Sequence, residues 1–270
     1  MEGILSFKET ERTDKTLKVL AIGNSFSQDA TTYIKQMALA DNVDLRVANA
    51  FIGGCSFERH YNNITNGTKD YRLTYYTPEE TFIFGEVSLE QCLKAADWDI
   101  ITVQQVSGLS GKYNSYFPFA PELINYVKTI HPNAEIRVHM VWAYARYFPG
   151  ITKNGYITQD NMYTQVVEAY ERFSYEMGGL KILPSGRAMQ IARRYIGDSL
   201  HRDGFHCSEL GRILTGWVWF EALTGISALE SKFIPKTATP SYMDEVFITD
   251  EEEKILREAA HQAVVEYSVK

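Results

Sequence analysis

The sequence predicts an α/β fold in which a largely parallel sheet carries helices on both faces, and two observations lead there. Short apolar runs of strand length alternate along the chain with stretches whose apolar residues recur at helical spacing. Several of the runs are continuously apolar, as strands buried on both sides must be. With 270 residues and 45% hydrophobic composition the chain can bury one large core, and no internal repeat divides it. One domain over 1–270 is expected, with its core at about 18–223.

Residues 18–23 read as the first strand, which stops at Gly23-Asn24. A helical pattern through Ala30, Tyr33, Ile34, Met37 and Ala38 follows as one helix. Ser25 therefore stands at a strand-to-helix turn. A serine there serves either as a helix cap or as a nucleophile beside the free N–H groups of the first helical turn. Residues 44–50 predict a second strand, running into a loop with Gly53 and Gly54. Such a loop lets backbone approach a ligand, or is simply a tight turn. Residues 61–85, rich in Asn, Thr and Tyr, are expected to be an insertion beside the site. Within it, 71–76 and 81–84 form a hairpin around Pro78-Glu79-Glu80.

A helix is expected over 87–96 and a third strand over 99–105, ending in Gln104 and Gln105. Amides at a strand's carboxyl end either face the ligand crevice of an open α/β sheet or cap a loop. A helix at 121–130, a strand at 134–142, a long helix at 158–177 stopped by Gly178-Gly179, and a short fifth strand at 181–184 continue the pattern. Ser208 should cap a helix over 209–223. An extended arm at 231–244 then leads to a last helix, opened by a Thr249/Glu252 capping box and striped by Ile255, Leu256, Ala259, Ala260, Ala263 and Val264.

The net charge of −7, without any Lys/Arg cluster, excludes nucleic acid as a partner. No run is long enough to span a bilayer and residues 1–18 lack a signal-peptide core, so no membrane partner and a cytoplasmic location are expected. Cys55, Cys92 and Cys207 are spaced for neither a disulfide framework nor a metal site and read as small buried residues. His60, His131, His139 and His261 have no companion at ligand spacing and read as structural. Trp217 and Trp219 sit in an apolar helix and read as core. His201, Asp203, His206 and Cys207 lie close enough to suggest a metal cluster, but no matching ligand pair occurs elsewhere. Neither metal nor cofactor is expected.

A hydroxyl nucleophile needs an adjacent base, itself oriented by a third group. Asp203 and His206, three residues apart on one turn, can supply both. Gly23-Asn24-Ser25-Phe26-Ser27, the glycine loop after the second strand, the amides after the third and Asp203-x-x-His206 together resemble the four blocks of the SGNH (GDSL-like) hydrolase superfamily. The match is nearest a bacterial branch whose opening block reads Gly-Asn-Ser-Phe. The resemblance implies a flavodoxin-like three-layer α/β/α sandwich around a central, mainly parallel five-stranded sheet. It also implies catalysis by Ser25, His206 and Asp203, with an oxyanion hole from the N–H groups of Ser25 and Gly54 plus a side-chain donor. The usual Gly-x-Asn-Asp of the third block is replaced by Gln104-Gln105-Val106-Ser107. Gln104 or Gln105 is then the expected donor, and Gly53 remains open beside Gly54.

The function so implied is a serine esterase. Seventeen tyrosines, several in the hairpin and at 113–119, suit a sugar-lined cleft and point to deacetylation of a carbohydrate ester. A small-molecule or glycan ester is the expected partner. A lipid esterase or thioesterase, or a non-catalytic carbohydrate-binding relative, are the alternatives.

Overall fold

A computed structural model describes residues 16–239 and 246–268. The expectations for residues 1–15, and for the part of the arm around Pro240, lie outside the described residues. The chain runs β1 (Leu17–Gly23), α1 (Ser25–Ala30), α2 (Ile34–Ala40), β2 (Leu45–Phe51), α3 (Phe57–Asn66), β3 (Tyr71–Tyr76) and β4 (Thr81–Val87). It continues with α4 (Leu89–Leu93), β5 (Ile100–Val103), α5 (Phe119–Ile130), β6 (Glu135–His139), α6 (Gly150–Lys153) and α7 (Gln159–Glu176). The last elements are β7 (Lys181–Leu183), α8 (Ser185–Ile196), α9 (Glu209–Thr224) and α10 (Asp250–Ser268).

The sheet has the order β4-β3-β2-β1-β5-β6-β7. Its five strands from β2 to β7 are parallel, as expected of a mainly parallel α/β sheet. The hairpin differs from expectation: it is no excursion from the core. β3 pairs antiparallel with β2, and β4 with β3, so the hairpin widens the sheet to seven strands. Tyr71, Leu73 and Tyr75 on β3 are fully buried, which makes this pairing part of the core.

Strand β1 is central, and Val19 to Ile22 are buried on both faces, which explains the unbroken apolar run. Helix α9 packs with α1, α2, α8 and α10, while α3 packs with α4 and α5. The expected first helix is two short ones. Thr31 and Thr32 turn their hydroxyls back onto the carbonyls of Ser27 and Gln28, at 2.8 and 3.0 Å, and Asn49 donates to the Thr31 hydroxyl at 2.7 Å. Such back-bonding competes with the helical ladder and ends α1 after six residues. Helices α3 and α8 occupy stretches where no helix was expected. α3 is capped by the Ser56 side chain at Arg59 N–H and stopped by Gly67 at φ +62°. The expected caps Ser208 and Thr249 each accept the backbone N–H three residues on, and Thr158, whose capping role was not foreseen, does the same for α7. No helix among the described residues is long and apolar enough to cross a membrane.

Candidate active site

β1 ends at Gly23, where a Cβ would stand 2.7 Å from Ser27 Oγ and 3.0 Å from Gln104 Cδ, so only glycine fits. Asn24 has extended backbone and caps α1, its Oδ1 accepting Phe26 N–H at 3.0 Å. The capping role thus falls to Asn24. Ser25 becomes the first helical residue, half-buried at the carboxyl edge of the sheet.

The partner loop reaches it from the segment between α8 and α9. Asp203 Oδ1 accepts the N–H groups of His206 (2.8 Å) and Phe205 (3.2 Å), and Oδ2 accepts from His206 Nδ1 at 2.7 Å. A carboxylate only accepts, so Nδ1 carries the proton and Nε2 turns its lone pair to Ser25 Oγ, 2.9 Å away. Partial burial works to raise the Asp203 carboxyl pKa. The His206 ring and the two backbone N–H groups outweigh it and hold the carboxyl below its ordinary range.

Contacts that sequence reasoning missed fix this loop. Trp142 Nε1 donates to Phe205 O (2.8 Å), and Ala145 N–H to Gly204 O (2.7 Å). Gly204 sits at φ +93°, with Phe148 filling the space a Cβ would need. The Phe205 ring lies 3.9 Å from that of His206, and Phe148 stacks on Phe205 at 5.1 Å. The buried carboxylate of Asp29, one turn after Ser25, accepts Cys207 N–H at 2.9 Å while pairing with Arg212 and Arg202. No local motif signals the contacts made by Trp142, Ala145, Phe148 and Asp29, because each joins segments far apart in the chain.

The glycine loop lies beside the turn. Ile52 N–H donates to Gly23 O (3.3 Å) and Asn24 Nδ2 to Cys55 O (3.0 Å). Gly54 adopts φ +61° with nothing near its α-carbon side. The N–H groups of Ser25, Gly53 and Gly54 have no acceptor among the described residues.

The two glutamines are not brought to this edge as donors, which corrects the expectation for both. Gln104 is buried behind the turn, its Nε2 on Asn24 Oδ1 (2.8 Å) and its Oε1 on His139 Nδ1 (2.7 Å). Gln105 points to α3: Oε1 accepts Phe57 and Val106 N–H, and Nε2 donates to Ser115. The tyrosine reading also changes, since Tyr71, Tyr75 and Tyr116 are wholly buried. The three cysteines and both tryptophans, Trp217 and Trp219, are buried as expected. His60 bonds Tyr71, His131 the Leu93 carbonyl, and His261 both Glu221 and Ser227.

The architecture is the SGNH hydrolase fold. The chain belongs to the DUF4886 family, described as a domain of unknown function, which matches residues 18–263. It is similar to a crystal structure of a DUF4886 family protein from Bacteroides uniformis ATCC 8492, with 37% identity and a TM-score of 0.83 over 94% of this chain and 96% of that one. A proposed SGNH hydrolase from Slackia heliotrinireducens is 18% identical with a TM-score of 0.53, over 76% of this chain and 98% of that one. A member of the lipolytic protein G-D-S-L family from Veillonella parvula DSM 2008 is 14% identical with a TM-score of 0.51, over 78% and 100% respectively. No curated protein matches the chain.

Proposed function

We propose that the protein is a serine esterase that cleaves an acyl ester through Ser25, His206 and Asp203. The observation that carries this reading is the unbroken chain from Ser25 Oγ to His206 Nε2 (2.9 Å) and from His206 Nδ1 to Asp203 (2.7 Å). Ser25 Oγ attacks the carbonyl carbon as His206 Nε2 takes its proton. The oxyanion that forms is held by the unclaimed N–H groups of Ser25 and the glycine loop. The C–O bond to the alcohol then breaks, and Nε2 returns the proton to the leaving oxygen. Water repeats the sequence on the acyl-enzyme, regenerating Ser25 and releasing the acid. Throughout, Asp203 keeps Nδ1 protonated and stabilises the imidazolium.

The alcohol half of the ester lies on the His206 side, because that residue protonates it. Phe205 packs against His206 and Phe148 stacks on Phe205, and these two partly exposed rings offer apolar surface suited to a sugar ring, which supports a carbohydrate ester as substrate. The test is hydrolysis of short-chain p-nitrophenyl esters by the wild type and Ser25→Ala, with a fluorophosphonate adduct located by mass spectrometry. Turnover lost in the variant and an adduct on Ser25 support the esterase. A folded wild type with neither turnover nor adduct overturns it.

A further inference from the structure

We propose that Gln104 and His139 are positioning residues for the Ser25 turn, the middle members of a buried relay from Ser185 through His139 and Gln104 to Asn24. This rests on the esterase reading of Ser25. Four polar side chains line up in the interior: Ser185 Oγ to His139 Nε2 (3.0 Å), His139 Nδ1 to Gln104 Oε1 (2.7 Å) and Gln104 Nε2 to Asn24 Oδ1 (2.8 Å). All four are at most 1% exposed. Buried amides and imidazoles persist only when their hydrogen bonds are made, and a satisfied network of this kind fixes one arrangement.

The polarity of the relay follows from one backbone group. Phe26 N–H can only donate, so the Asn24 atom that meets it is Oδ1, and Nδ2 must face the Cys55 carbonyl. Gln104 reaches the same Oδ1 and must therefore present its Nε2. Its Oε1 then faces His139 Nδ1, which has to carry the proton. Neutral His139 is left with a bare Nε2, and Ser185 donates to it. Turning over either amide would set two acceptors or two donors face to face. Ser185 is itself fixed, because Gly186 N–H donates to Met140 O and a Cβ at Gly186 would meet Val141 O at 2.3 Å.

The output of the relay is the orientation of Asn24, and Asn24 holds two places at once. Phe26 N–H belongs to the residue after Ser25, and the Cys55 carbonyl to the residue after Gly54. One amide therefore sets the spacing between the N–H groups of Ser25 and Gly54 that the esterase reading uses for the oxyanion. Gln104 supports those donors from behind without being one.

The test needs no knowledge of the substrate, because fluorophosphonate labelling of Ser25 reads both nucleophile and oxyanion geometry. Gln104→Met keeps the volume and removes the amide. Its limiting labelling rate should fall by at least about tenfold, with the half-saturating probe concentration and the near-ultraviolet dichroism unchanged. Gln104→Glu should label at a rate near the wild type at about pH 5.5, where the carboxylic acid can donate to Asn24, and fall behind it at about pH 8, where a carboxylate cannot. Residue 104 faces Gly23, Asn24 and His139, and His139 faces Ser185, Trp142 and Trp219, so His139 is the one titratable neighbour in this set. Nitrogen-15 NMR of the wild type should show His139 as the neutral Nδ1–H tautomer at both pH values. Wild-type labelling in Gln104→Met, or an Nε2–H tautomer, overturns the proposal. Should Gln104→Met fail to fold, the tautomer and a labelling rate lowered several-fold in Ser185→Ala decide instead. A wild type that the probe never labels defeats the esterase reading and the positioning role with it. A labelled wild type with an unaffected Gln104→Met defeats the positioning role alone.

Discussion

Asp29 accepts the backbone N–H of Cys207 at 2.9 Å, joining the helix that begins with Ser25 to the residue that follows His206. The same carboxylate takes the Nε of Arg212 at 2.9 Å, and both side chains are nearly inaccessible. Removing one partner of a buried pair leaves the other charge uncompensated, which costs about 3–5 kcal/mol. Asp29→Ala should lose stability of that order in urea unfolding and slow the labelling of Ser25. Asp29→Asn, which keeps an acceptor for Cys207, should lose less. Equal stability in all three proteins would remove Asp29 as the tie between the two segments.

Asp203 is a second point of leverage. Asparagine at this position keeps an oxygen for the N–H groups of Phe205 and His206, but it turns an amide towards Nδ1 and favours the wrong imidazole tautomer. Asp203→Asn should lower kcat by roughly 10³–10⁴ with little change in melting temperature, because the carboxylate is 41% exposed and its loss strands no buried charge. A loss below about tenfold would show that Asp203 does not orient the base.

Phe148 lies over Phe205, which packs against His206, the residue that protonates the departing alcohol on the proposed reading. Phe148→Ala should reduce kcat/KM for acetylated sugars more than for ethyl acetate, by roughly tenfold in relative terms. An acyl-length series with one fixed alcohol should be unaffected. Identical ratios across the alcohol series would exclude Phe148 from the leaving-group side.

Acid should destabilise the fold well before its carboxylates titrate. Burial depresses the pKa of His60, with help from Arg59, and that of His139, each to about 3. In the unfolded chain both imidazoles bind a proton near the usual value of about 6.5. Between these limits the unfolded state holds more protons, so stability falls as pH falls. The loss at pH 5 should be on the order of 1–2 kcal/mol for each histidine. His60→Gln, which retains a partner for the Tyr71 hydroxyl, should flatten the dependence of unfolding free energy on pH between about 6.5 and 5. An unchanged slope would mean that His60 titrates normally.

The elements legible in the sequence are those whose signals are local. Val19 to Ile22 are apolar because β1 is covered on both faces, and Ser208 and Thr249 announce their helices by bonds three residues long. Asp203 and His206 were legible for the same reason, since one turn brings them together. Helix α3 was not, because its inward face is built from Phe57 and the polar His60 and Asn63. Nor was α8, whose buried Arg193 spends its guanidinium on the carbonyls of Ala143 and Tyr144. The glutamines show a further limit. A strand end can be located from sequence, but whether its amide turns outward or into the interior depends on His139, which lies 35 residues away.

Ser25 and His206 are separated by 181 residues. The ribosome delivers Ser25 before His206, so the serine is first an ordinary alcohol without its histidine contact. On the proposed esterase reading it gains its base only once the turn at Asp203 has formed and Cys207 and Arg212 have met Asp29. On that reading a chain stopped before His206 carries an unactivated hydroxyl, and nucleophile and base come together only in the completed fold.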